Sequence, residues 1–293
     1  MHYQDLTIIG ERINPGFASS KALFDNSDID GICKLATEQV QKGAKHLNIN
    51  IGARAMTDSE FMKEIILRVQ DTVNVPLSFD FPNMEVQELC LKIYDHQKAC
   101  GQKPVINSIS ELRWEMTELL KIRPCRVLLM ASERSENGEK IANKTADEVL
   151  ETARRMVKKL TGSHGLSNDD IFIDVSVGPV AVDMEGLTRM AIQAIRKIGS
   201  CPDMKGVHMS VGLSNISIMV PPKALDGSPL KVLLESAFLT NTVPHGLDTI
   251  IGTAGRNYQF LDSDNFVLQG FNEAMQLDDV ESIMRIQQLY KEA

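Results

Sequence analysis

The stretch HMSVGLSNIS, residues 208–217, passes from an apolar run into small polar residues. The apolar run predicts a strand, and Gly212 followed by Ser214 and Asn215 marks the point where that strand ends. Serine and asparagine are ordinary residues for leaving a strand, so this single ending has little weight. It gains weight because other predicted strands end in the same way.

Short β-rich apolar runs alternate along the chain with longer segments of helical periodicity. The predicted strands are residues 7–13, 46–52, 76–81, 104–110, 126–132, 171–176, 207–215 and 249–254. Apolar stripes of helical spacing are found at residues 28–43, 145–161 and 279–292. Eight strand–helix units are the count of a (β/α)8 TIM barrel, an α/β fold, and we predict one such domain over residues 1–293.

The main alternative fold is a doubly wound open sheet. Its usual glycine-rich first turn is missing, because GERINPG at residues 10–16 is not a GxGxxG motif. Two longer connections, 133–144 and 216–228, follow the fifth and seventh predicted strands. In a barrel both would lie on the catalytic face, so they are either loops that cover a substrate or surface inserts.

Six of the eight predicted strands carry a carboxylate or carboxamide near the C-terminal end. These residues are Glu11, Asn48, Asn50, Asp80, Asn107, Asp174 and Asn215. In a barrel the C-terminal ends of the strands meet at a single mouth, where active sites are found. A loop hydrogen bond explains any one of these residues, but the whole set predicts a shared site.

The chemistry of this polar set points to a flat, uncharged heterocycle. The set contains no lysine for a Schiff base and no cluster of thiols or imidazoles. A carboxylate accepts two parallel N–H bonds from a guanidine-like edge, such as that of a pterin, and an amide supplies one donor and one acceptor. A sugar would accept the same residues, usually with more aromatic stacking than 5% aromatic residues and a single Trp114 provide.

Composition argues against several classes of function. The 293 residues carry a net charge of −8, and the densest basic run, RRMVKK at 154–159, lies on a helical pattern, which argues against a nucleic-acid or anionic-membrane surface. No apolar segment approaches the roughly 20 residues of a membrane helix, and the first residues lack a secretory pattern. Five scattered cysteines without a CxxC pair suit a reducing cytoplasm, and no Cys/His spacing predicts a bound metal.

Several motifs together resemble the pterin-binding methyltransferases that pair methyltetrahydrofolate with a corrinoid protein. In chain order they are IIGERIN (8–14), LNINIGA (47–53), FDFPN (79–83), VINSIS (105–110), IFIDVSVGP (171–179) and VGLSNIS (211–217). The resemblance covers essentially the whole chain, and the length resembles the separate methyltransferase component. It implies tetrahydrofolate or 5-methyltetrahydrofolate as substrate and cobalamin carried by a partner protein, with the direction of transfer left open.

The resemblance also implies roles for individual residues. Asp80, Asn107 and Asp174 would hold the pterin, with Asp174 on its 2-amino/N3 edge. Asn215 would lie beside N5, both binding the ring and managing its protonation during catalysis. The supporting residues would be Glu11 and Asn14, which order the first loop, Asn50, which orders the second, and Ser214, which orients Asn215; Ser217 is either a second orienting residue or a simple turn residue.

The resemblance further implies a corrinoid protein that docks transiently over the barrel mouth, and a homodimer. One segment departs from the family pattern. After SNIS the family commonly has polar residues and an arginine, whereas residues 218–229 here read IMVPPKALDGSP. The cover of the mouth and the identity of the docking partner are therefore open.

Three other functions are compatible with the predicted barrel. Dihydropteroate synthase shares the fold but resembles a pattern with basic residues near the seventh and eighth strands, where this chain offers only Arg256. A phosphate-binding barrel enzyme could use Gly252 and Gly255 after the eighth strand. A non-catalytic folate-binding barrel would need only the polar ring.

Overall fold

The computed structural model describes residues 6–291, and its centre is a closed barrel of eight parallel strands. The strands in chain order are β1 (Thr7–Ile13), β2 (His46–Ile49), β3 (Leu77–Asp80), β4 (Val105–Ile109), β5 (Arg126–Met130), β6 (Glu133–Glu136), β7 (Glu139–Ala142), β8 (Ile171–Asp174), β9 (His208–Gly212) and β10 (Thr249–Gly252). Around the barrel they follow the order β1-β10-β9-β8-β5-β4-β3-β2, while β6 and β7 form a separate antiparallel hairpin. The predicted TIM barrel is confirmed.

The predicted strand starts agree with the structure to within one residue, but most predicted strands run too far at the C-terminal end. The strand predicted at 207–215 ends at Gly212, and the one predicted at 46–52 ends at Ile49. The reason is that the polar residues at these ends leave the hydrogen-bonded ladder and turn over the mouth of the barrel. The predicted domain begins and ends beyond the described residues, so its limits at 1 and 293 stay a prediction.

Helices form the outer layer of the barrel. They are α1 (Ala18–Asp25), α2 (Ile29–Gln41), α3 (Ser59–Thr72), α4 (Met84–Ile93), α5 (Ala146–His164), α6 (Leu187–Gly199), α7 (Leu230–Thr242), α8 (Phe266–Ala274) and α9 (Asp279–Gln287). A kinked 3-10 segment, Glu111–Lys121, takes the place of a helix after β4. Side chains cap several helix starts, and α5 has a full capping box formed by Thr145 and Glu148. None of the helices within residues 6–291 has both the length and the apolar character needed to span a membrane.

The predicted helices match α2 and α5 closely, whereas the last helix differs. It ends at Gln287, and the end of the predicted segment, residue 292, lies outside the described residues. Ile286 and Leu289 are buried, but Val280 and Met284 of the predicted stripe are about half exposed. The helix therefore packs through a different face from the one that apolar spacing alone indicates.

Side chains inside the barrel follow the two-residue period of the strands. A small apolar cluster of Val105, Leu128 and Phe172 fills the interior. Two residues further along the same strands come Asn107, Met130 and Asp174, which line the cavity above it. The apolar cluster therefore forms the base on which the polar mouth is built.

Candidate functional site

A cavity of about 280 Å³ opens at the C-terminal ends of the barrel strands. Seven of the eight predicted site residues line it: Glu11, Asn14, Asp80, Asn107, Asp174, Ser214 and Asn215. The eighth, Asn50, does not line the cavity but donates a hydrogen bond to Asp80 over 3.1 Å. Residues from the first loop and from the turn after β9 thus meet at one place.

Three strands are connected at the cavity by a chain of side-chain hydrogen bonds. Nδ2 of Asn107 donates to Oδ1 of Asn48 over 3.2 Å, and Nδ2 of Asn48 donates to Oδ2 of Asp80 over 3.0 Å. Asn50 donates to the same Oδ2 atom. Oδ1 of Asp80 accepts no side-chain hydrogen bond from a described residue. This network fixes the carboxylate and leaves one of its oxygens available to a ligand.

Asp174 is the last residue of β8 and is 7% exposed. It lines the same cavity as the hydrogen-bonded residues Asn107, Asn48 and Asp80. Its Oδ1 accepts the backbone N–H of Ser176 over 2.7 Å. Burial raises the pKa of Asp174 to about 6; the Ser176 N–H opposes this rise, and the neighbouring charge of Asp80 adds to it. The carboxyl group is therefore mostly ionised at pH 7 and can accept N–H donors from a ligand.

Asn215 lies in the 3-10 turn Leu213–Ser217 that follows β9. Its backbone carbonyl accepts the N–H of Ile218, but its side chain makes no hydrogen bond to any described residue. Nδ2 of Asn215 lies so close to Gly212 that a Cβ atom there would be 2.9 Å away. Among the described residues of the cavity, Asn215 is thus an exposed amide whose donor and acceptor are both available to a ligand.

The charges that line the cavity are all negative. Glu11, Asp80 and Asp174 contribute carboxylates, and no Lys, Arg or His side chain among the described residues lines it. Phe17, Met130, Val177 and Ile251 supply apolar surface. A cavity lined by carboxylates and apolar side chains suits a heterocycle with several N–H donors and disfavours a phosphate or pyrophosphate.

Comparison with known proteins agrees with this geometry. The family model described as "Pterin binding enzyme" matches residues 12–252. This chain belongs to the pterin-binding enzyme family. The enzyme is 26% identical over 252 residues to the methylcorrinoid:tetrahydrofolate methyltransferase of Eubacterium limosum, covering 84% of each chain.

A second relative is the methionine synthase of Mycobacterium tuberculosis, which is 26% identical over 261 residues. The match covers 85% of this pterin-binding enzyme but only 20% of that much longer protein. The two relatives confirm the resemblance to methyltransferases that was predicted from the motifs.

Solved structures of dihydropteroate synthase have the same fold. The Clostridium difficile enzyme, solved in the presence of pteroic acid, superposes with a TM-score of 0.59 at 16% identity and covers 88% of this chain and 94% of its own. The Thermus thermophilus enzyme in complex with 6HMPPP gives 0.55 at 17% identity, with 86% and 89% covered. At this level of identity the likeness establishes the barrel and carries no argument about activity.

Arg256, the basic residue considered in the sequence analysis for the dihydropteroate synthase alternative, makes its contacts outside the cavity. It forms an ion pair with Glu235, a fully buried residue of α7, and does not line the cavity. Oε1 of Glu235 also accepts the hydroxyl of Ser217 over 2.5 Å. The arginine is therefore committed to a carboxylate in the outer layer of this pterin-binding enzyme.

The two long connections do not line the cavity. Residues 133–142 fold into the β6–β7 hairpin and border a separate groove of about 560 Å³ together with Trp114, Arg155 and Lys159. After Asn215, the second connection exposes Ile218 and Met219 to solvent beside the cavity without lining it. In the described part of the chain no cluster of three or more His, Cys, Asp or Glu side chains could hold a metal.

Sequence reasoning missed several residues of the site. Asn48 was recognised as a polar strand end, but its role as the link between Asn107 and Asp80 was not predicted. Met130 could have been found from the strand period, because it pairs in register with Asp174. Phe17, which lines the cavity, and Thr253, which bonds to Glu11, lie in loops after β1 and β10, where no periodic signal identifies them.

Proposed function

We propose that this enzyme transfers a methyl group between N5 of tetrahydrofolate and the cobalt of a corrinoid carried by a partner protein. The observation that carries the proposal is a cavity lined by carboxylates and amides, with no cationic side chain among the described residues that line it. The pterin ring of folate presents its 2-amino group and N3 as adjacent donors, which a carboxylate accepts in pairs. The name of the Eubacterium limosum relative supports methyl transfer as the reaction.

Asp174, Asp80 and Asn107 bind the pterin in this proposal. Asp174 accepts the 2-amino/N3 edge, because it is ionised at neutral pH and buried at the cavity wall. Asp80 and Asn107 contact other heteroatoms of the ring, and Asn48 keeps both in place. Because Asn48 holds Asp80 and Asn107 by hydrogen bonds, we expect both side chains to have their binding orientation before the ligand arrives.

Asn215 acts at N5. A tertiary amine leaves poorly unless N5 gains a proton as its bond to the methyl carbon breaks, so the enzyme must favour a charge that develops in the transition state. The Asn215 amide can accept from N5–H⁺ through oxygen or donate to neutral N5 through nitrogen. It does not supply the proton, which reaches N5 from solvent.

The corrinoid is proposed to arrive on a transiently bound partner, because a cavity of about 280 Å³ has no room for it beside folate. The corrinoid supplies the cobalt that accepts or delivers the methyl group. Exposed apolar side chains stand on the loops after β8 and β9, which contact each other: Val182, Met184, Ile218 and Met219. Such side chains support a protein surface docking over this part of the mouth.

Two further parts of the proposal rest on the sequence. A homodimer is proposed from the family resemblance. A cytoplasmic location is proposed from the cysteines, all of which are free, with Cys100 the exposed one among the five.

The proposed reaction is tested by mixing the purified chain with 5-methyltetrahydrofolate and free cob(I)alamin. Formation of methylcobalamin, followed by its absorbance, is the expected result, and the Asn215→Ala variant is the control. Formation of dihydropteroate from a pterin pyrophosphate and 4-aminobenzoate would instead identify a dihydropteroate synthase. Folate binding without either reaction would identify a non-catalytic barrel.

A further inference from the structure

The turn that carries Asn215 is held by hydroxyl groups on both sides of it. The hydroxyl of Ser214 donates to Oε2 of Glu11 over 2.7 Å, and the hydroxyl of Ser217 donates to Oε1 of Glu235 over 2.5 Å. Between these two anchors the side chain of Asn215 has no hydrogen bond to a described residue. The backbone of the turn is therefore fixed while the amide stays free.

The same two carboxylates also reach the segment that follows β10. Oε1 of Glu11 accepts the hydroxyl of Thr253 over 2.7 Å, and Oε1 of Glu235 is paired with Arg256. We call Glu11 and Glu235 together the carboxylate clamp. Each half of the clamp connects the turn to residues 253–256, so the turn cannot shift without breaking its hydrogen bonds to Glu11 on β1 and to Glu235 on α7.

Packing alone does not account for Glu235. It lies in the middle of α7, where nine of the thirteen residues are buried, and its side chain is fully buried. A buried carboxylate costs free energy unless it is paired, and a leucine would fill such a position without that cost. Glu235 lines none of the described cavities, so its polar contacts are to Ser217 and Arg256.

We propose that Glu235 is a positioning residue of the methyl-transfer reaction: through Ser217 it holds the turn so that the Asn215 amide meets N5 of the folate. This inference rests on the proposed function. Its physical basis is that a displacement of about 1 Å at a reacting group reduces turnover by about 100-fold. Glu235 is fully buried and does not line the cavity, so it acts through the turn and not by contact with a ligand.

The test uses Glu235→Leu, which removes the acceptor of the Ser217 hydroxyl, and Ser217→Ala in the full chain, with Thr242→Val as the matched control. Thr242 is a buried polar residue of the same helix whose hydroxyl bonds only to the helix carbonyl of Phe238. We expect kcat to fall by about 10- to 100-fold in both test variants while the Kd for 5-methyltetrahydrofolate changes by less than about threefold. The control should keep the wild-type kcat.

A double-mutant cycle separates positioning from a general structural effect. When Asn215 is already alanine, Glu235→Leu should lower the remaining turnover by less than about threefold, because the amide that Glu235 positions is no longer present. Equal losses in both backgrounds, or a Kd that worsens as much as kcat, would overturn the inference. Ser217→Ala removes only a hydroxyl and keeps the test decisive if Glu235→Leu, which leaves Arg256 without its partner, fails to fold.

Hydrogen exchange provides a readout that does not depend on methyl transfer. The backbone amides of residues 214–218 should exchange at least about tenfold faster in Ser217→Ala, while the Tm falls by no more than a few degrees. Wild-type exchange in this variant would contradict the clamp even if the enzyme transfers methyl groups. Faster exchange in a chain that lacks methyl transfer would place the failure in the proposed reaction.

Discussion

The side-chain amide of Asn48 donates a 3.0 Å hydrogen bond to Oδ2 of Asp80, although the two residues lie on different strands. The oxygen of the same amide accepts a hydrogen bond from Asn107. One buried side chain thus orients both an acid and an amide of the proposed pterin site. Asn48 itself is 3% exposed and is held within the barrel.

Replacing Asn48 by alanine is expected to weaken folate binding by about 5- to 30-fold, because two hydrogen bonds worth about 1 kcal/mol each are lost. Titration calorimetry with 5-methyltetrahydrofolate measures the change. Asn241→Ala provides the control, since this amide bonds to Ala237 and Asn272 outside the cavity. Wild-type affinity in Asn48→Ala would show that Asp80 and Asn107 do not need this link.

Asn215→Ala is expected to reduce methyl transfer by about 10- to 1000-fold, the scale for removing one preorganised polar group. Folate affinity should change less, because the amide acts mainly on the charge that develops at N5. Stopped-flow measurement of methylcobalamin formation, combined with calorimetry on the same variant, checks both parts. An unchanged transfer rate would remove Asn215 from the mechanism.

Gly212→Ala tests the same amide without altering it. Gly212 has φ of −75°, a conformation open to alanine, but the new Cβ would stand 2.9 Å from Nδ2 of Asn215. The amide must move aside, so we expect kcat to fall by about tenfold or more with little loss of stability. A thermal melt and a steady-state assay measure the two quantities, and a normal kcat would mean that the amide adjusts without consequence.

Folate affinity is expected to depend on the protonation of Asp174. Burial raises the pKa of this carboxyl to about 6, and only the ionised form accepts both N–H donors of the pterin edge. The affinity should be constant above about pH 7 and fall roughly tenfold per pH unit well below pH 6. Calorimetry between pH 5 and 8 tests this, with Asp174→Asn reporting the share that comes from titration of the ligand.

His208 lies at the end of the barrel away from the mouth. Whereas folate affinity is expected to rise with pH, the stabilisation that His208 contributes to the folded protein should fall as pH rises. Its Nδ1 lies 2.6 Å from Asp248 and its Nε2 3.2 Å from Asp169; the Asp248 bond raises the pKa of His208 against burial, and Arg126 lowers it slightly. Because the folded pKa is raised, the stabilisation is complete below about pH 6.5 and is lost as pH rises through the folded value.

Urea unfolding of the wild type and of His208→Gln checks this prediction. The difference in unfolding free energy between them should be larger at about pH 6 than at about pH 9. Burial lowers the pKa of His46 to about 3, but this residue is present in both proteins, so its own pH dependence cancels in the difference between them. A difference that is the same at both pH values would show that the two carboxylates do not stabilise charged His208.

Much of the barrel could be predicted from periodicity, and the reason is visible in β8 and β9. Continuous apolar runs such as IFID end in polar residues where the chain leaves the sheet, so strand starts were placed to within one residue. The helix α9 was less predictable, since Val280 and Met284 belong to the apolar pattern but stand exposed. Which face of a short terminal helix is buried depends on its neighbours, and no local pattern contains them.

The sequence by itself determined the eight-fold alternation of strands and helices and the presence of a polar residue at six strand ends, because both follow from local side-chain chemistry and the two-residue strand period. Only the tertiary structure decided that Asn48 links Asn107 to Asp80, that Arg256 is bound to Glu235, and that Ser214 and Ser217 anchor opposite sides of one turn. These contacts join residues far apart in the chain, and closure of the barrel is the physical event that brings them within hydrogen-bond distance.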